Sequence, residues 1–256
     1  MIIAERQDAI LRLLQGKKYL SIGDICSQLH YSESTLRRDL KRMEKEGLLI
    51  QTRGGVSADT HPNMETPLAM RISANRQYKS AIAYEAAKMV EDNMMIMMDA
   101  STTAMEMVPY LRSKKNLTII TCCLSTAVLI AETLDCNLIC TGGRYHAPTA
   151  ALVGGSAETS LKDWFAGMLF FSVNSIDAVN GLTDQGEEIV QLKKTMIQQS
   201  RKAVLLADRK KFGQTAAFRL RPGHLDAIVT NPSPDFDEPE WEEYRKIMVF
   251  SGPVES

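Results

Sequence analysis

Three stretches at the start of the chain carry apolar residues at helical spacing. Ile3, Ile10, Leu13 and Leu14 form the first, and Ile22, Ile25, Cys26 and Leu29 recur at i, i+3, i+4 and i+7 in the second. In the third, Leu36, Leu40 and Met43 share one stripe, while Ser34, Arg37, Arg38, Lys41 and Lys45 lie on the opposite side. Ser21 with Asp24 makes a capping box ahead of the second helix. Ser32 is the expected N-cap of the third helix and Gly47 its expected C′ residue. The connection His30-Tyr31-Ser32 is short, so the second and third helices are predicted to form a helix-turn-helix. A hairpin-like segment follows and ends in Arg53-Gly54-Gly55, as the wing of a DNA reader does.

From residue 76 the pattern changes. Apolar runs at 94 to 98, 117 to 121, 137 to 141, 168 to 173, 203 to 207 and 227 to 230 alternate with helical stretches at 102 to 113, 124 to 135 and 186 to 200. That alternation predicts a parallel α/β sheet with a Rossmann-like core. No G-x-G-x-x-G follows the first strand, so a dinucleotide is not indicated. Residues 57 to 75 lack a sustained period and contain Pro62 and Pro67, which predicts a linker. The expected organisation is therefore a winged helix-turn-helix domain over 1–56, a linker over 57–75 and an α/β domain over 76–256. Near the end, Trp241 and Tyr244 either pack on the sheet or meet another subunit, and residues 246 to 251 predict a short strand of unassigned partner.

Charge sharpens the picture. Residues 1 to 56 carry a net charge of +3, the whole chain −1, and the remainder therefore −4. A basic helix face alone is ordinary solvated surface, but a basic module on an acidic body fits contact with phosphates, which supply most non-specific DNA affinity. With 256 residues, 45% of them hydrophobic, the chain is too long for one winged helix alone. No apolar run approaches the ~20 residues that span a bilayer, and the charged start is no signal peptide, so a cytoplasmic protein is expected, with no membrane partner.

The run STLRRDL followed by EGLLIQTRGGV resembles the N-terminal signature of the DeoR family of bacterial transcriptional regulators. The resemblance covers roughly residues 3 to 56. It implies that Ser32, Ser34, Thr35, Arg37, Arg38 and Lys41 present the reading helix to the major groove, and that Arg53, Gly54 and Gly55 lie along the wing. Arginine is suited to bidentate contact with guanine. Which arginine reads a base and which grips phosphate stays open.

The first strand of the second domain runs into Asp99-Ala100-Ser101-Thr102-Thr103, an acid and three hydroxyls at the carboxyl end of a strand, leading into a helix. Open α/β sheets bind ligands at that edge. Hydroxyls and N–H groups at a helix start suit a phosphate, and a carboxylate suits a sugar hydroxyl; equally, one of the hydroxyls simply caps the helix. Thr141-Gly142-Gly143 and Asp208-Arg209-Lys210-Lys211 follow later strands and are expected at the same edge.

These segments, with Gly181-Leu182-Thr183 and EIVQLKKTMI around Lys193, resemble the DeoR sensor domain, whose fold is like that of ribose-5-phosphate isomerase and glucosamine-6-phosphate deaminase. The resemblance implies a phosphorylated sugar or related metabolite bound by Asp99, Ser101, Thr102, Thr103, Gly142, Gly143, Lys193, Asp208 and Lys211. Within the pairs Lys193-Lys194 and Lys210-Lys211, Lys193 and Lys211 are ranked as the inward members. Departures from the family pattern are Ser101 where it has glycine, Thr121-Cys122-Cys123 in place of Thr-Asn-Ser, and Ser172 and Ser175 where glycines are expected. A side chain replacing glycine narrows the approach of backbone to a phosphate.

An isomerase-like enzyme with an appended DNA-binding domain is the alternative. Such chemistry needs a placed acid and base, and Asp99 and Asp208 make no evident dyad; His146 and His224, in expected loops, are catalytic or solvated surface. The five cysteines, Cys26, Cys122, Cys123, Cys136 and Cys140, are read as reduced and mostly buried, with no C-x-x-C pair; a metal site at Cys136 and Cys140 is the less favoured alternative to core packing. The expectation is an α/β protein acting as a homo-oligomeric regulator of carbohydrate-metabolism genes, without cofactor, metal or catalytic residues. Its partners are a double-stranded operator and a phosphorylated-sugar effector.

Overall fold

The structure is a computed structural model that describes residues 3–14, 19–45, 49–52, 54–57 and 68–252. Gly47, Arg53 and residues 58–67 of the expected linker lie outside the described residues. The chain divides into two units, Met1–Ala74 and Asn75–Ser256.

The first unit begins with α1 (Ile3–Leu14), β1 (Tyr19–Ser21), α2 (Ile22–Leu29) and α3 (Glu33–Lys45). The hairpin β2 (Ile50–Thr52) and β3 (Gly55–Ser57) follows, and β1 joins it in the antiparallel order β1-β3-β2. The Ser21 hydroxyl accepts from the Asp24 backbone N–H at 3.0 Å and donates to the Asp24 carboxylate at 2.7 Å, which starts α2. Ile10 and Leu14 of α1, Ile25 of α2, Leu36, Leu40 and Met43 of α3, and Val56 of β3 form one buried cluster. Thr52 pairs with Gly55, and Gly54 beside it has φ of +87°. A Cβ on Gly55 would lie 2.2 Å from the Leu20 carbonyl oxygen, so only glycine admits β1 against the wing. The segment expected to be linker also holds a short helix, α4 (Leu68–Ser73).

In the second unit a seven-stranded sheet runs in the order β15-β14-β12-β9-β4-β5-β6, every pairing parallel. Its strands are β4 (Met95–Met98), β5 (Thr118–Thr121), β6 (Asn137–Cys140), β9 (Met168–Phe171), β12 (Ala203–Leu206), β14 (Ala227–Thr230) and β15 (Met248–Phe250). MIMM, MLFF and AVLL are continuous apolar runs because both faces are covered. Ile96 and Met98 meet a cluster with α5 (Arg76–Ala87), while Met97 faces α8 (Gly155–Lys162) and α9 (Glu187–Gln198). α7 (Leu124–Thr133) joins the α5 side through Ile130.

Two small antiparallel arrangements lie outside this sheet. They are the hairpin β7 (Arg144–His146) with β8 (Ala151–Val153), and the sheet β10 (Ser175–Asp177), β11 (Gly181–Asp184) and β13 (Phe218–Leu220). A last short helix, α10 (Glu242–Arg245), precedes β15.

Three expectations are corrected and two open points are decided. The helix expected over residues 102 to 113 is two pieces, α6 (Thr102–Met105) and a 3-10 turn Val108–Leu111, divided where Pro109 cannot donate a backbone hydrogen bond. His146 ends strand β7 and is not in a loop. Cys122 and Cys123 are buried, but Cys26 in α2 is half-buried, and Cys136 is half-buried and Cys140 exposed because β6 is the edge strand. The final strand, unassigned from sequence, is β15 beside β14, and Trp241 packs within the chain against Phe212 and Tyr244.

Leu40 is 0% exposed at the centre of the first unit. Leu40→Ala is expected to destabilise that unit by about 2 to 5 kcal/mol through reduced burial and a residual cavity. Denaturant-dependent amide exchange of α3 in the full chain checks it, and an unchanged midpoint would refute the packing.

Candidate functional site

The first candidate surface is the exposed side of α3. Ser32 Oγ lies 3.2 Å from Ser34 Oγ and 2.9 Å from Thr35 Oγ1, and accepts from the Thr35 backbone N–H at 3.4 Å. Ser32 therefore caps the helix. Ser34, Arg37, Arg38 and Lys41 are exposed and Thr35 is half-buried. Arg37 donates to Glu33 Oε1 from Nε at 2.9 Å and from Nη2 at 2.6 Å. Gly54 lies in the turn of the wing, and its carbonyl accepts from the Ile22 N–H at 3.0 Å.

Sequence reasoning missed the group that seats this helix. Asp39 is buried and accepts from Arg6 Nε at 2.7 Å and Nη2 at 3.0 Å, a two-bond bridge from α3 to α1. That hydrogen bond raises the Arg6 guanidinium pKa. The available signal was an acid beside Leu40, on the apolar side of the helix and flanked by the cations Arg37, Arg38, Lys41 and Arg42. Glu44 adds a second tie, accepting from the Gln51 backbone N–H at 2.9 Å in the wing.

The second candidate site lies at the carboxyl edge of the parallel sheet. Asp99 follows β4, is 1% exposed, and accepts from Ser101 N at 3.0 Å and from Ser172 N, beyond β9, at 3.1 Å. It thus bridges two adjacent strand ends. Lys193 of α9 places Nζ 3.7 Å from Asp99 Oδ2 and 2.5 Å from Asp184 Oδ2, all three side chains being buried. Asp184, at the end of β11, escaped the sequence reading because only the fold brings it opposite the cation. A buried charge is tolerated only when paired, and here one ammonium stands between two carboxylates.

Around this cluster, the Ser101 hydroxyl accepts from Ala104 N at 3.1 Å and so caps α6, whose first residues Thr102 and Thr103 are buried. Lys211 Nζ donates to Ser172 Oγ at 2.8 Å and to the Val173 carbonyl at 2.6 Å, while Lys210 turns outward to Asn75. Asp208 is buried and its Oδ1 accepts from Lys210 N at 3.1 Å, capping the next turn. Hydrogen bonds and ion pairs therefore join Ser101, Asp99, Ser172, Lys211, Lys193 and Asp184 into one group. Gly142 and Gly143 follow the edge strand, two positions from β4 in the sheet. At Gly143, φ is +126° and a Cβ would lie 2.8 Å from the Val153 carbonyl, so glycine is demanded there by the close approach of β8.

His146 Nδ1 lies 2.8 Å from Thr149 Oγ1, and His224 Nε2 lies 3.8 Å from Asp226 Oδ2. Among the described residues no group of three or more potential ligands is arranged to hold a metal ion. No helix among them is long and apolar enough to cross a membrane.

Burial, reinforced by the Asp99 carboxylate, pushes the Cys122 thiol well above its ordinary pKa. Cys140 is also raised, first by burial, yet its side chain reaches solvent. Because the thiolate is the reactive form, alkylation of the folded protein at mildly alkaline pH is expected to mark Cys140 well before Cys122. Peptide mapping of the label checks this, and equal rates would contradict the buried placement.

Comparison with known proteins agrees with this geometry. Residues 6–61 match the DeoR-like helix-turn-helix domain and residues 74–232 match the DeoR C terminal sensor domain. An uncharacterized HTH-type transcriptional regulator of Bacillus subtilis, YulB, is 33% identical over 99% of this chain and 98% of its own length. The HTH-type transcriptional regulator GlpR of Haloferax volcanii is 29% identical over 98% of this chain and 99% of its own. The transcriptional repressor AccR of Agrobacterium fabrum is 30% identical over 89% of each chain. Among solved structures, ribose 5-phosphate isomerase A from Methanocaldococcus jannaschii is similar over 54% of this chain and 55% of its own, at 18% identity and a TM-score of 0.40. A reading helix with its charges outward, an α/β body with polar groups gathered at one sheet edge, and end-to-end similarity to named regulators converge on one assignment: the chain belongs to the DeoR family of DNA-binding transcriptional regulators.

Proposed function

We propose that this regulator is a cytoplasmic, homo-oligomeric repressor of carbohydrate-metabolism genes, whose hold on its operator is set by a phosphorylated sugar or related metabolite. The observation that carries the effector half is the buried set Asp99, Asp184 and Lys193, joined through Ser172 to Lys211. Carboxylates and an ammonium suit sugar hydroxyls, and Lys211 with the Ser101, Thr102 and Thr103 segment suits the anionic end. Gly142, Gly143 and Asp208 would complete the walls. Repression is supported by the names of relatives, which include AccR and a putative aga operon transcriptional repressor of Escherichia coli O157:H7.

We read the sensor domain as binding without turnover. The names of the relatives, HTH-type transcriptional regulators and repressors, support that reading. The backbone N–H groups on Asp99 and the Lys193 and Gln185 N contacts of Asp184 hold both carboxylates in place and leave each oxygen a second lone pair for a sugar hydroxyl. Two reading domains on one duplex multiply a modest single affinity, and an effector shifting their spacing needs a coupling of only about 1 to 3 kcal/mol.

In the DNA reading, Ser32, Ser34, Thr35, Arg37, Arg38 and Lys41 face the groove, with Arg53 and Gly54 at the wing. Arg38→Ala is expected to weaken operator binding and to lower the log-log salt slope by about 0.9, since one phosphate fewer is neutralised. Fluorescence anisotropy across a salt series measures it, and parental affinity with parental slope would remove Arg38 from the interface.

A sugar phosphate that is the effector is expected to stabilise the chain by about 2.7 kcal/mol at a hundredfold excess over Kd, and Lys193→Met to abolish that gain. A thermal-shift series of phosphorylated sugars and polyols reads both. Sustained conversion of the bound compound would replace the sensor reading with the isomerase alternative.

A further inference from the structure

One turn of 3-10 helix, Arg209–Lys211, stands between the strand-edge cluster and the start of the second unit. Successive residues of such a turn project about 120° apart, so its three cations point in three directions. Lys211 reaches inward to Ser172 Oγ and the Val173 carbonyl. Arg209 Nη2 donates to Tyr78 Oη at 3.2 Å, and its guanidinium carbon lies 5.2 Å from the centre of the Tyr78 ring. Lys210 Nζ donates to Asn75 Oδ1 at 2.8 Å and lies 5.9 Å from the same ring. Both outward arms therefore grip the beginning of α5, and Asn75 is the residue at which the second unit starts.

The gripped segment is held from outside its own helix. Asn75 occupies the N-cap position of α5 with φ of 55° and ψ of 30°, left-handed backbone that asparagine accepts as a single residue, and its side chain makes no capping hydrogen bond. Its oxygen is instead taken by Lys210. The Asn75 carbonyl accepts from Tyr78 N at 3.0 Å and Lys79 N at 3.1 Å, and Asn231 Nδ2 donates to the Tyr78 carbonyl at 3.2 Å. The first turn of α5 thus owes its geometry to loops from the carboxyl ends of β12 and β14.

The contact path continues inward without a gap. Ser172, the acceptor of Lys211, donates its N–H to Asp99, and Asp99 faces Lys193. At the turn itself, Asp208 Oδ1 accepts from Lys210 N and the Asp208 carbonyl accepts from Lys211 N at 3.0 Å, so the three arms move as one piece.

We propose that Arg209 and Lys210 are positioning residues that pass the state of the Asp99–Ser172–Lys211 group to the first turn of α5. That turn is where the chain leads back toward the DNA-binding domain. The inference rests on the reading of this group as the effector site. An anion that draws Lys211 away from Ser172 and Val173 turns the three-armed piece, withdraws Lys210 from Asn75 and releases the left-handed cap. Coupling then needs no contact between effector and α5, only a displacement of one helical turn.

The test uses the full chain and the amide exchange of Tyr78 and Lys79, whose N–H groups donate to Asn75. Lys211→Met, which removes the inner arm without touching α5, is expected to speed their exchange about tenfold through local opening. Ser172→Ala, which removes an acceptor of that arm, is expected to act in the same direction. R209Q/K210A reaches the Lys211→Met rate, and Lys211→Met added to that pair changes nothing further. Tyr78→Phe keeps the ring and loses only the acceptor of Arg209, so it gives a smaller increase and serves if the double variant does not fold.

Additive effects in the combined variant overturn the proposal, as does parental exchange in Lys211→Met and Ser172→Ala, or in Tyr78→Phe. Neither effector nor DNA enters this readout. Its failure therefore leaves the effector site standing, and a failure of sugar phosphates to bind leaves the coupling measurable.

Discussion

The sensor domain depends on what Asp99 does with its two oxygens. One accepts the Ser101 N–H that begins the turn into α6, the other accepts the Ser172 N–H at the end of the adjacent strand, and Lys193 stands opposite. A carboxylate this deeply buried is destabilising by several kcal/mol unless such partners are in place. The same requirement fixes two loops and a helix around one point. Parallel strands make this possible, because every carboxyl end lies at a single edge, and β4 and β9 are neighbours there although they are far apart in sequence.

Ion pairs have opposite tasks in the two units. Arg6 and Asp39 seat α3 against α1 from its inner side, which leaves Arg37, Arg38 and Lys41 outward. The Arg37 pair with Glu33 is exposed on both sides and so contributes about 0 to 1 kcal/mol, small enough for a phosphate to displace Glu33 at little cost. In the second unit the cation is inside, and Lys211, at the loop after β12, connects that interior to the surface turn.

Legibility in the sequence followed burial. Strands covered on both faces read as unbroken apolar runs, so each strand of the main sheet was recognisable, to within a residue or two at its ends. Strands of three or four residues with no flanking signal carry too little pattern to read, which is why β1, the β7–β8 hairpin and the β10-β11-β13 sheet were not foreseen. Residues 102 to 113 misled for another reason. They are apolar at helical spacing, but Pro109 lacks the N–H that would continue α6. At the sheet edge, Asp99 was visible as an acid at the end of an apolar strand and Lys193 through the family resemblance, whereas Asp184 and Ser172 matter through partners that folding supplies.

Ser101 and Ser172, at positions where the family resemblance leads us to expect glycine, each place their hydroxyl within the protein. Ser101 spends its oxygen on the Ala104 N–H, and Ser172 Oγ both receives Lys211 and donates to the Leu206 carbonyl at 2.6 Å. Each hydroxyl is therefore satisfied within the protein and adds no unpaired polar atom to the buried edge. A glycine at position 101 would leave the Ala104 N–H without that acceptor, and a glycine at 172 would leave Lys211 its carbonyl partner Val173 without the hydroxyl. Ser101 thus fixes the start of α6, and Ser172 ties the loop after β9 to β12 and the turn beyond it. A ligand entering this edge must compete with internal hydrogen bonds already made, which favours one that offers Lys211 a stronger, charged acceptor over one that offers only hydroxyls.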